Sequence, residues 1–419
     1  MRNEILGRRY RAIREVMPGL CQTLGPEDCA AQSMPDASPA KWHLAHSTWF
    51  FETFVLRRLD PDHRVFHPRF EYLFNSYYNS VGAQYPRPDR GLLTRPSLEE
   101  VARYRAHVDA AMTALLEDPE RLDDAALDVV ELGLNHEQQH QELVLTDVKH
   151  LLAQNPLAPA YQEVKATGEA PARALEFRGY EGGLIEIGHE GPDFAFDNES
   201  PRHRVYVEPF ELASRPIHNR EFLAFIEDDG YRRPELWLSE GFARVQQEGW
   251  ESPLYWTHEG GRWSQFTLSG LQPLRMEEPV CHVSYFEADA FARWMGARLP
   301  GEAEWERVAR DAPVEGHFLD AGRFHPEGLG DDPPTDRPAQ LFGDVWEWTS
   351  SAYGPYPGYR AAEGALGEYN GKFMSSQIVL RGGSCASPRS HLRATYRNFF
   401  PPDARWQFSG IRLARAPFA

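Results

Sequence analysis

Residues 131–150 read ELGLNHEQQHQELVLTDVKH. The stretch lies within a predicted helix of about residues 124–153, and it places His136 and His140 four positions apart. Residues with this spacing sit one turn above each other on the same helix face. Two imidazoles on one face can hold a single metal ion. The stretch therefore predicts both a long helix and two ligands of a metal site.

Three more helices are predicted in the first 155 residues, and the four together predict an antiparallel bundle. One of them opens with Ser97 as the N-cap and Glu100 three residues later, which is a capping box. The connection of residues 60–96 is long, aromatic and rich in Pro. Connections of that length are usually functional or disordered, and the aromatic content argues against disorder. The three helices cover about residues 4–22, 38–59 and 97–117.

The second half of the chain has a different pattern. A chain of 419 residues exceeds the size of one hydrophobic core, roughly 250–300 residues, so two domains are expected. We predict a helical bundle over residues 1–155, a Pro-, Ala- and Gly-containing linker over 156–180, and an irregular domain over 181–419, which gives an α+β fold class. The last domain is predicted from the strand-like runs LIEIG, HRVYVEPFELA, PVCHVS, IVLRGGS and GIRLAR and from the helix EADAFARWMGARL.

Composition and charge exclude several classes of partner. The formal charge of −18 repels phosphate backbones and anionic membrane surfaces, so neither nucleic acid nor membrane is an expected partner. The N-terminal stretch has no apolar core of the signal-peptide kind, and no run approaches about 18 apolar residues. The four cysteines are scattered, which favours a reducing cytoplasm.

A third ligand is needed to fix an ion beside His136 and His140. The predicted helix at 38–59 offers His43 and His46, and facing helices of a bundle pool metal ligands in the core. Gln139 directly precedes His140 and flanks the same site. We interpret the remaining helix and loop histidines of this half as ordinary core or surface residues: His63, His67, His107 and His150.

The same stretch contains a possible protease motif. His136, Glu137 and His140 match the H-E-x-x-H pattern of zinc metalloproteases. The metzincin version is excluded because its third histidine would stand where this chain has Thr146. A downstream Glu163 falls in the predicted linker, where a rigid ligand is not expected. Three imidazoles instead resemble an open site for a redox-active ion, related to the 2-His-1-carboxylate iron oxygenases.

Several motifs resemble one enzyme family. The motifs AH (45–46), NSYY (75–78), PRPDRG (86–91) and NHEQQHQE (135–142) are similar to the DinB-like bundle of EgtB-type sulfoxide synthases, the iron-dependent enzymes of ergothioneine biosynthesis. The second half resembles their C-terminal domain, which has the irregular C-type-lectin-like fold of the formylglycine-generating enzyme. Its matching runs are GGLIEIG, PVCHVSYFEADAFARWMGARLPGEAEWE, GDVWEWTSSAY, LRGGS and GIRLAR.

The resemblance implies a non-heme Fe(II)-dependent oxidoreductase. Its substrates would be O2, cysteine and hercynine, and cysteine would be joined to C2 of the hercynine imidazole to give hercynylcysteine sulfoxide. The bundle would carry the iron ligands, and the second domain would complete the substrate pocket. His46, His136 and His140 match the iron ligands of the family.

The resemblance also implies substrate-contacting residues. Tyr77 and Tyr78 match the tandem tyrosines of the members that use free cysteine, where a phenol supplies a proton or hydrogen. Arg87 and Arg90 match residues that hold the carboxylate of the sulfur donor, which suits the planar guanidinium. The positions that match hercynine contacts are Gln139, Asn398 and Phe399.

Departures from the family pattern refine this hypothesis. Phe400 stands in the donor pocket where members that use γ-glutamylcysteine carry Asp, which favours free cysteine as the donor. The copper-binding cysteine pair of formylglycine-generating enzymes is represented by Cys385 alone, so that second chemistry is not predicted. One of three tyrosines is expected to line the pocket without an assigned catalytic role: Tyr353, Tyr356 or Tyr359.

Alternative functions remain at this point. A selenoneine synthase would couple a selenosugar to hercynine, and an ovothiol-type enzyme would couple cysteine to histidine. The ovothiol enzymes usually carry an added methyltransferase domain, for which the predicted second domain leaves no room. From other classes remain the zinc protease and a non-catalytic protein that binds a metal or a thiol. The sequence makes no prediction of the oligomeric state.

Overall fold

The computed structural model describes residues 2–163, 168 and 170–417. Residues 164–167 and 169 of the predicted linker, together with the outermost residues of the two predicted domains, lie outside the described residues. The chain divides into two compact units. The first comprises the chain to Leu157 and the segment Ala361–Tyr369, and the second comprises Ala158–Arg360 and the chain from Asn370 onward.

The first unit is helical. The four long predicted helices form, and their bounds agree with the sequence prediction to within a few residues. The helix predicted at 38–59 contains a π-helical turn, Glu52–Leu56. The helices are α1 (Arg2–Leu20), α2 (Pro26–Ala30), α3 (Ala40–Phe51), α4 (Arg57–Leu59), α5 (Phe70–Phe74), α6 (Leu98–Glu117) and α7 (Asp124–Ala153).

Side-chain hydrogen bonds mark where two of the helices begin. The Ser97 hydroxyl accepts from the Glu100 amide, and the Glu100 carboxylate accepts from the Ser97 amide, which confirms the predicted capping box. Asp123 accepts from the amide of Ala126 and caps α7. Each cap satisfies an amide that the first helical turn leaves without an intrahelical partner.

The bundle is formed by α1, α3, α6 and α7, and it is not antiparallel throughout. Helix α1 contacts α6 and α7, and α3 contacts the same two helices. Cross-helix bonds show that α1 runs antiparallel to α6 and parallel to α7, while α3 runs antiparallel to α7. It follows that α3 and α6 are parallel. The connection 60–96 is long because it returns the chain from one end of the bundle to the other.

The second unit combines short helices with several small sheets. Its helices are α8 (Asn219–Glu227), α9 (Ser239–Glu248), α10 (Tyr285–Trp294) and α11 (Glu302–Ala309). Its strands are β1 (Phe177–Tyr180), β2 (Gly183–Ile187), β3 (His203–Val207), β4 (Phe210–Ala213), β5 (Trp256–Glu259), β6 (Arg262–Thr267), β7 (Gly270–Pro273), β8 (Trp346–Ala352), β9 (Ile378–Arg381), β10 (Asn398–Phe400), β11 (Ser409–Gly410) and β12 (Ala414–Arg415).

The sheets are small and mostly antiparallel. Strand order is β1-β4-β12 in one sheet and β10-β9-β8-β11 in another, with β11 parallel to β8. Strands β2 and β3 pair with each other, and β5, β6 and β7 form a meander. Buried aromatic and aliphatic side chains, among them Trp305, Trp346 and Trp348, form the core of this unit.

Two sequence predictions in this half need correction. Residues 177–180, assigned to the linker, form β1 and pair with β4. The run PVCHVS contains no strand and only an isolated bridge from Pro279 to His218. Both errors arise because a short stretch of sequence does not reveal its pairing partner, and a strand exists only where a partner supplies the hydrogen bonds.

Within the part of the chain that the structure describes, no helix has both the length and the apolar character needed to cross a bilayer.

Candidate metal centre

The three histidines predicted to hold a metal ion lie together in the first unit. His46 belongs to α3, and His136 and His140 belong to α7. One ring nitrogen from each lies within 4.8 Å of the others. Nε2 of His46 is 3.1 Å from Nε2 of His136. The structure therefore brings the three imidazoles to one buried place, and their role as ligands stays a prediction.

Burial keeps these imidazoles in the form that binds metals. It lowers the pKa of His136 to about 3, with the electrostatic influence of His43 as a smaller cause. Burial, followed by the neighbouring imidazoles, holds the pKa values of His46 and His140 well below the usual value. All three rings are therefore neutral near pH 7, and neutral imidazole is the ligating form.

Hydrogen bonds fix the tautomer of His46. Its Nδ1 lies 2.6 Å from the carbonyl oxygen of Phe74, and a carbonyl can only accept. Nδ1 therefore carries the proton, and Nε2 presents a lone pair toward His136. A metal-ligating histidine commonly donates its other ring N–H in this way. Three imidazole donors suit Fe(II) and other first-row divalent ions, so the residues present fit an iron centre.

A pair of residues behind His140 orients that ring. Nε2 of His43 lies 3.0 Å from Oδ2 of Asp147, and Nδ1 of His43 lies 2.8 Å from Nδ1 of His140. A carboxylate accepts, so His43 donates to Asp147 and accepts from His140. Nε2 of His140 is then free of a proton and available as a ligand atom. Asp147 was not predicted, although its position two helical turns after His140 places it on the same face of α7.

Aromatic and cationic side chains flank His46. The indole of Trp42 stacks on His46 with ring centroids 4.5 Å apart. On Trp42 lies the guanidinium of Arg90, 3.5 Å from the ring centroid, and Arg90 also donates to Ser38. Burial lowers the pKa of Arg90 to about 9, so the group stays charged at neutral pH. Arg87 is exposed and donates to the carbonyl of Asp36.

The tandem tyrosines of the connection also lie in this region. Tyr78 is completely buried and packs against Trp49 at 5.7 Å between ring centroids. Tyr77 stacks on Tyr78 at 4.6 Å. Burial raises the pKa of Tyr78 well above its usual value, so this phenol keeps its proton at neutral pH. Asn75 holds the turn, because its side chain accepts from the amide of Tyr78 and donates to the carbonyl of Gly82.

A segment from late in the chain completes the first unit. The ring of Tyr369 meets His136 edge to face at 5.7 Å and lies 6.3 Å from Tyr77, and its hydroxyl donates to the side-chain oxygen of Gln139. Glu368 accepts from the amide of Ser80 at 2.9 Å. No pattern in the sequence indicated Tyr369, because nothing in residues 361–369 marks them as a neighbour of α7.

Glu137 does not face the imidazoles. Its carboxylate is buried between Arg14 and Arg105, and one oxygen lies 2.6 Å from the Arg14 guanidinium. A carboxylate held by two buried arginines is not available as the general base of a protease. Glu137 therefore lies apart from the imidazoles, and the role of His136 and His140 as ligands stays a prediction.

The remaining predicted contacts lie in the second unit. Asn398, Phe399 and Phe400 form β10, which pairs with β9. Phe399 stacks on Tyr353 at 3.9 Å between centroids. Each predicted tyrosine of this unit has a polar partner in the same unit. The hydroxyl of Tyr353 accepts from Asn198, and the hydroxyl of Tyr359 donates to Asp197. The hydroxyl of Tyr356 donates to Glu302 and accepts from Arg381.

Comparisons with known proteins support both predicted domains. The model of the DinB superfamily matches residues 9–144. The model of the sulfatase-modifying factor enzyme 1-like domain matches residues 168–331 and 338–417. These matches confirm the predicted α+β class with a DinB-like bundle followed by a domain like the formylglycine-generating enzyme.

Two relatives span nearly the whole chain, and a third spans about half of it. "Hercynine oxygenase" of Mycolicibacterium thermoresistibile is 33% identical over 408 residues, covering 91% of this chain and 88% of the relative. The protein of the same name from Mycobacterium tuberculosis is 33% identical over 415 residues, covering 92% and 93%. "Ergothioneine biosynthesis protein 1" of Schizosaccharomyces pombe is 30% identical over 244 residues, covering 54% and 29%. The chain therefore belongs to the hercynine oxygenase family of EgtB-type sulfoxide synthases and is an oxygenase-type oxidoreductase.

Proposed function

We propose that this protein uses Fe(II) and O2 to join cysteine to C2 of the hercynine imidazole, forming hercynylcysteine sulfoxide. The observation that carries the proposal is the buried set of three neutral imidazoles, His46, His136 and His140, in a chain of this family. A bound Fe(II) would supply the redox chemistry that activates O2 and would lower the pKa of a bound thiol. Neutral ligands do not reduce the positive charge of the ion, which can then attract an anionic thiolate.

The tyrosines would supply a proton. Tyr78 keeps its proton at neutral pH because it is buried, and Tyr77 stacks on it. A protonated phenol is both a donor and a weak acid, as general acid catalysis requires. We propose that Tyr77 or Tyr78 donates to the developing oxygen anion and so steers the reaction away from simple oxidation of the thiol.

The arginines of the connection would hold the sulfur donor. Arg90 is a buried cation near His46, and a carboxylate is the natural partner of a guanidinium. We propose that Arg90 and Arg87 bind the cysteine carboxylate. Arg87 bonds to the carbonyl of Asp36, so its side chain would have to change partner when cysteine binds.

The hercynine contacts are proposed from two parts of the chain. Gln139 bonds to Tyr369 and would bond to the hercynine imidazole. Asn398 and Phe399 would contact the same substrate, since a quaternary ammonium can interact with an aromatic face but cannot form hydrogen bonds. Phe400, in place of an acidic residue, supports free cysteine as the donor. A cytoplasmic location is proposed because the four cysteines of the sequence are too few and too scattered for a disulfide scaffold.

Anaerobic reconstitution with Fe(II), followed by cysteine, hercynine and O2, tests the proposal when products are identified by mass spectrometry. We expect the sulfoxide adduct of cysteine and hercynine. Parallel reactions replace cysteine by γ-glutamylcysteine or a selenosugar, and hercynine by histidine. An adduct formed only with histidine or only with a selenosugar would move the function to the ovothiol-type or selenoneine reaction. Absence of any O2-dependent adduct would contradict the proposal.

A further inference from the structure

The first unit contains a second cluster of metal-ligating side chains. Glu52 begins the π-helical turn that follows α3, His63 lies in the connection 60–96, and His107 lies in α6. We infer that Glu52, His63 and His107 bind a structural divalent ion of the Zn(II) type, which ties the connection to two helices of the bundle. From the sequence alone, His63 and His107 are interpreted as ordinary core or surface residues.

The three groups have the spacing of a metal site. One candidate ligand atom from each lies within 4.8 Å of the other two, and Nε2 of His63 is 3.2 Å from Oε1 of Glu52. Ligand atoms about 2.0–2.1 Å from a tetrahedral Zn(II) ion lie roughly 3.3 Å from one another. Small side-chain rotations therefore bring the set to ligating distances.

The outer hydrogen bonds match those of ligated residues. Nε2 of His107 lies 2.8 Å from the carbonyl oxygen of Arg64, so Nε2 carries the proton and Nδ1 presents a lone pair. Glu52 accepts through Oε2 from the Tyr104 hydroxyl at 2.7 Å and through Oε1 from the Phe66 amide at 3.0 Å. A ligating histidine that donates to a carbonyl and a ligating carboxylate that is itself hydrogen-bonded are typical of protein metal sites.

Burial and backbone geometry indicate a structural role. The side chains of His63 and Glu52 are only 2% and 3% exposed, which leaves little access for a substrate. The π-helical turn starts at Glu52, and such turns are rare interruptions of α-helices that often occur at functional sites. Glu52 is six residues after His46, about 9 Å along a helix, so the cluster is separate from the three-histidine set.

The chemistry of the set favours a first-row divalent ion. Two imidazoles and one carboxylate suit Zn(II) and neighbouring first-row ions, whereas Mg(II) and Ca(II) prefer oxygen ligands. Such an ion would hold the beginning of the connection against α6 and the end of α3. The same connection carries Tyr77, Tyr78 and Arg90 farther along, so the ion would restrict the segment that the proposed reaction uses.

The test measures Zn(II) binding by the full chain already loaded anaerobically with one equivalent of Fe(II). Equilibrium dialysis followed by metal analysis gives the bound Zn(II) for the wild type and for His107→Ala, with His67→Ala as the matched control. His67 is an exposed histidine of the same connection. We expect one further equivalent of Zn(II) for the wild type and for His67→Ala.

We expect the affinity of His107→Ala for Zn(II) to fall more than about 100-fold. Loss of a residue that only hydrogen-bonds to a ligand already weakens metal binding about 10–100-fold, and His107 would itself be a ligand. Tyr104→Phe removes only the hydroxyl that donates to Glu52, and it should weaken Zn(II) binding about 10-fold. Iron content should be the same in all four proteins. Unchanged Zn(II) binding by His107→Ala would overturn the assignment.

A measurement on the wild type alone covers the case in which a variant does not fold. Crystals exposed to Zn(II) should give an anomalous peak at the zinc edge between Glu52, His63 and His107. Absence of a zinc peak between these three residues would overturn the inference.

Discussion

The two histidine clusters of the first unit share one helical segment but differ in charge. His46 in α3 meets two imidazoles from α7, whereas Glu52, at the end of the same segment, meets imidazoles from the connection and from α6. The first set is neutral, and the second contributes a carboxylate. A neutral set leaves an ion able to attract an anionic substrate, while a carboxylate offsets part of that charge. We therefore assign the substrate chemistry to the first cluster and a structural ion to the second.

The largest expected effect is the loss of iron from the first cluster. His140→Ala should lose iron and activity together, because two imidazoles rarely hold Fe(II) tightly. The matched control is His150→Ala on the same helix, where the imidazole bonds to Ser33 rather than to the cluster. Iron content and product yield measured side by side check the prediction. Full iron in purified His140→Ala would refute its assignment as a ligand.

The next effect concerns stability and distinguishes Glu137 from a catalytic carboxylate. Glu137→Gln should lower the free energy of unfolding by about 3–5 kcal/mol, because Arg14 and Arg105 lose their buried counter-charge. Urea denaturation measures the change. The folded fraction should still bind iron. An undiminished stability together with lost activity would instead point to a chemical role for this carboxylate.

A smaller effect is expected behind the first cluster. Asp147→Asn should weaken Fe(II) binding about 10–100-fold, because the chain from Asp147 through His43 to His140 fixes the tautomer of His140. Titration of the metal-free protein with Fe(II) under anaerobic conditions measures the affinity. Equal affinities of variant and wild type would show that His140 is oriented by other contacts.

The smallest effect on iron binding is expected for the tandem tyrosines, whose substitution should instead change the product. Tyr77→Phe and Tyr78→Phe should retain iron, and at least one should divert product from the sulfoxide to cysteine sulfinate, because the phenolic proton is lost. Chromatography of both products from the same reaction gives their ratio. If neither substitution changes the ratio, the proton comes from another group, and Tyr369 is then the next candidate because it contacts His136 and bonds to Gln139.

The sequence predicted the parts of the site that follow from local periodicity. The four-residue spacing of His136 and His140 predicted a shared helix face, and the capping box at Ser97 predicted the start of α6. His46 followed from a second predicted helix and from the family resemblance. These features depend on residues that are close in the chain, where helical geometry fixes which side chains meet.

Long-range pairings were not predictable in the same way. The contact of Tyr369 with Gln139 and the cluster of Glu52 with His107 join residues far apart in the chain. No spacing rule encodes such pairs, since they depend on how helices and connections pack. The parallel arrangement of α3 and α6 is a further example, because helix periodicity contains no information about the direction of a neighbour.

The most direct test of the central assignment is an anomalous difference map recorded at the iron edge from anaerobic crystals of the Fe(II)-loaded protein. We predict one strong peak in contact with His46, His136 and His140. A peak at Glu52 and His107 instead, or no ordered iron at the three imidazoles, would contradict the assignment of the reaction to the neutral cluster.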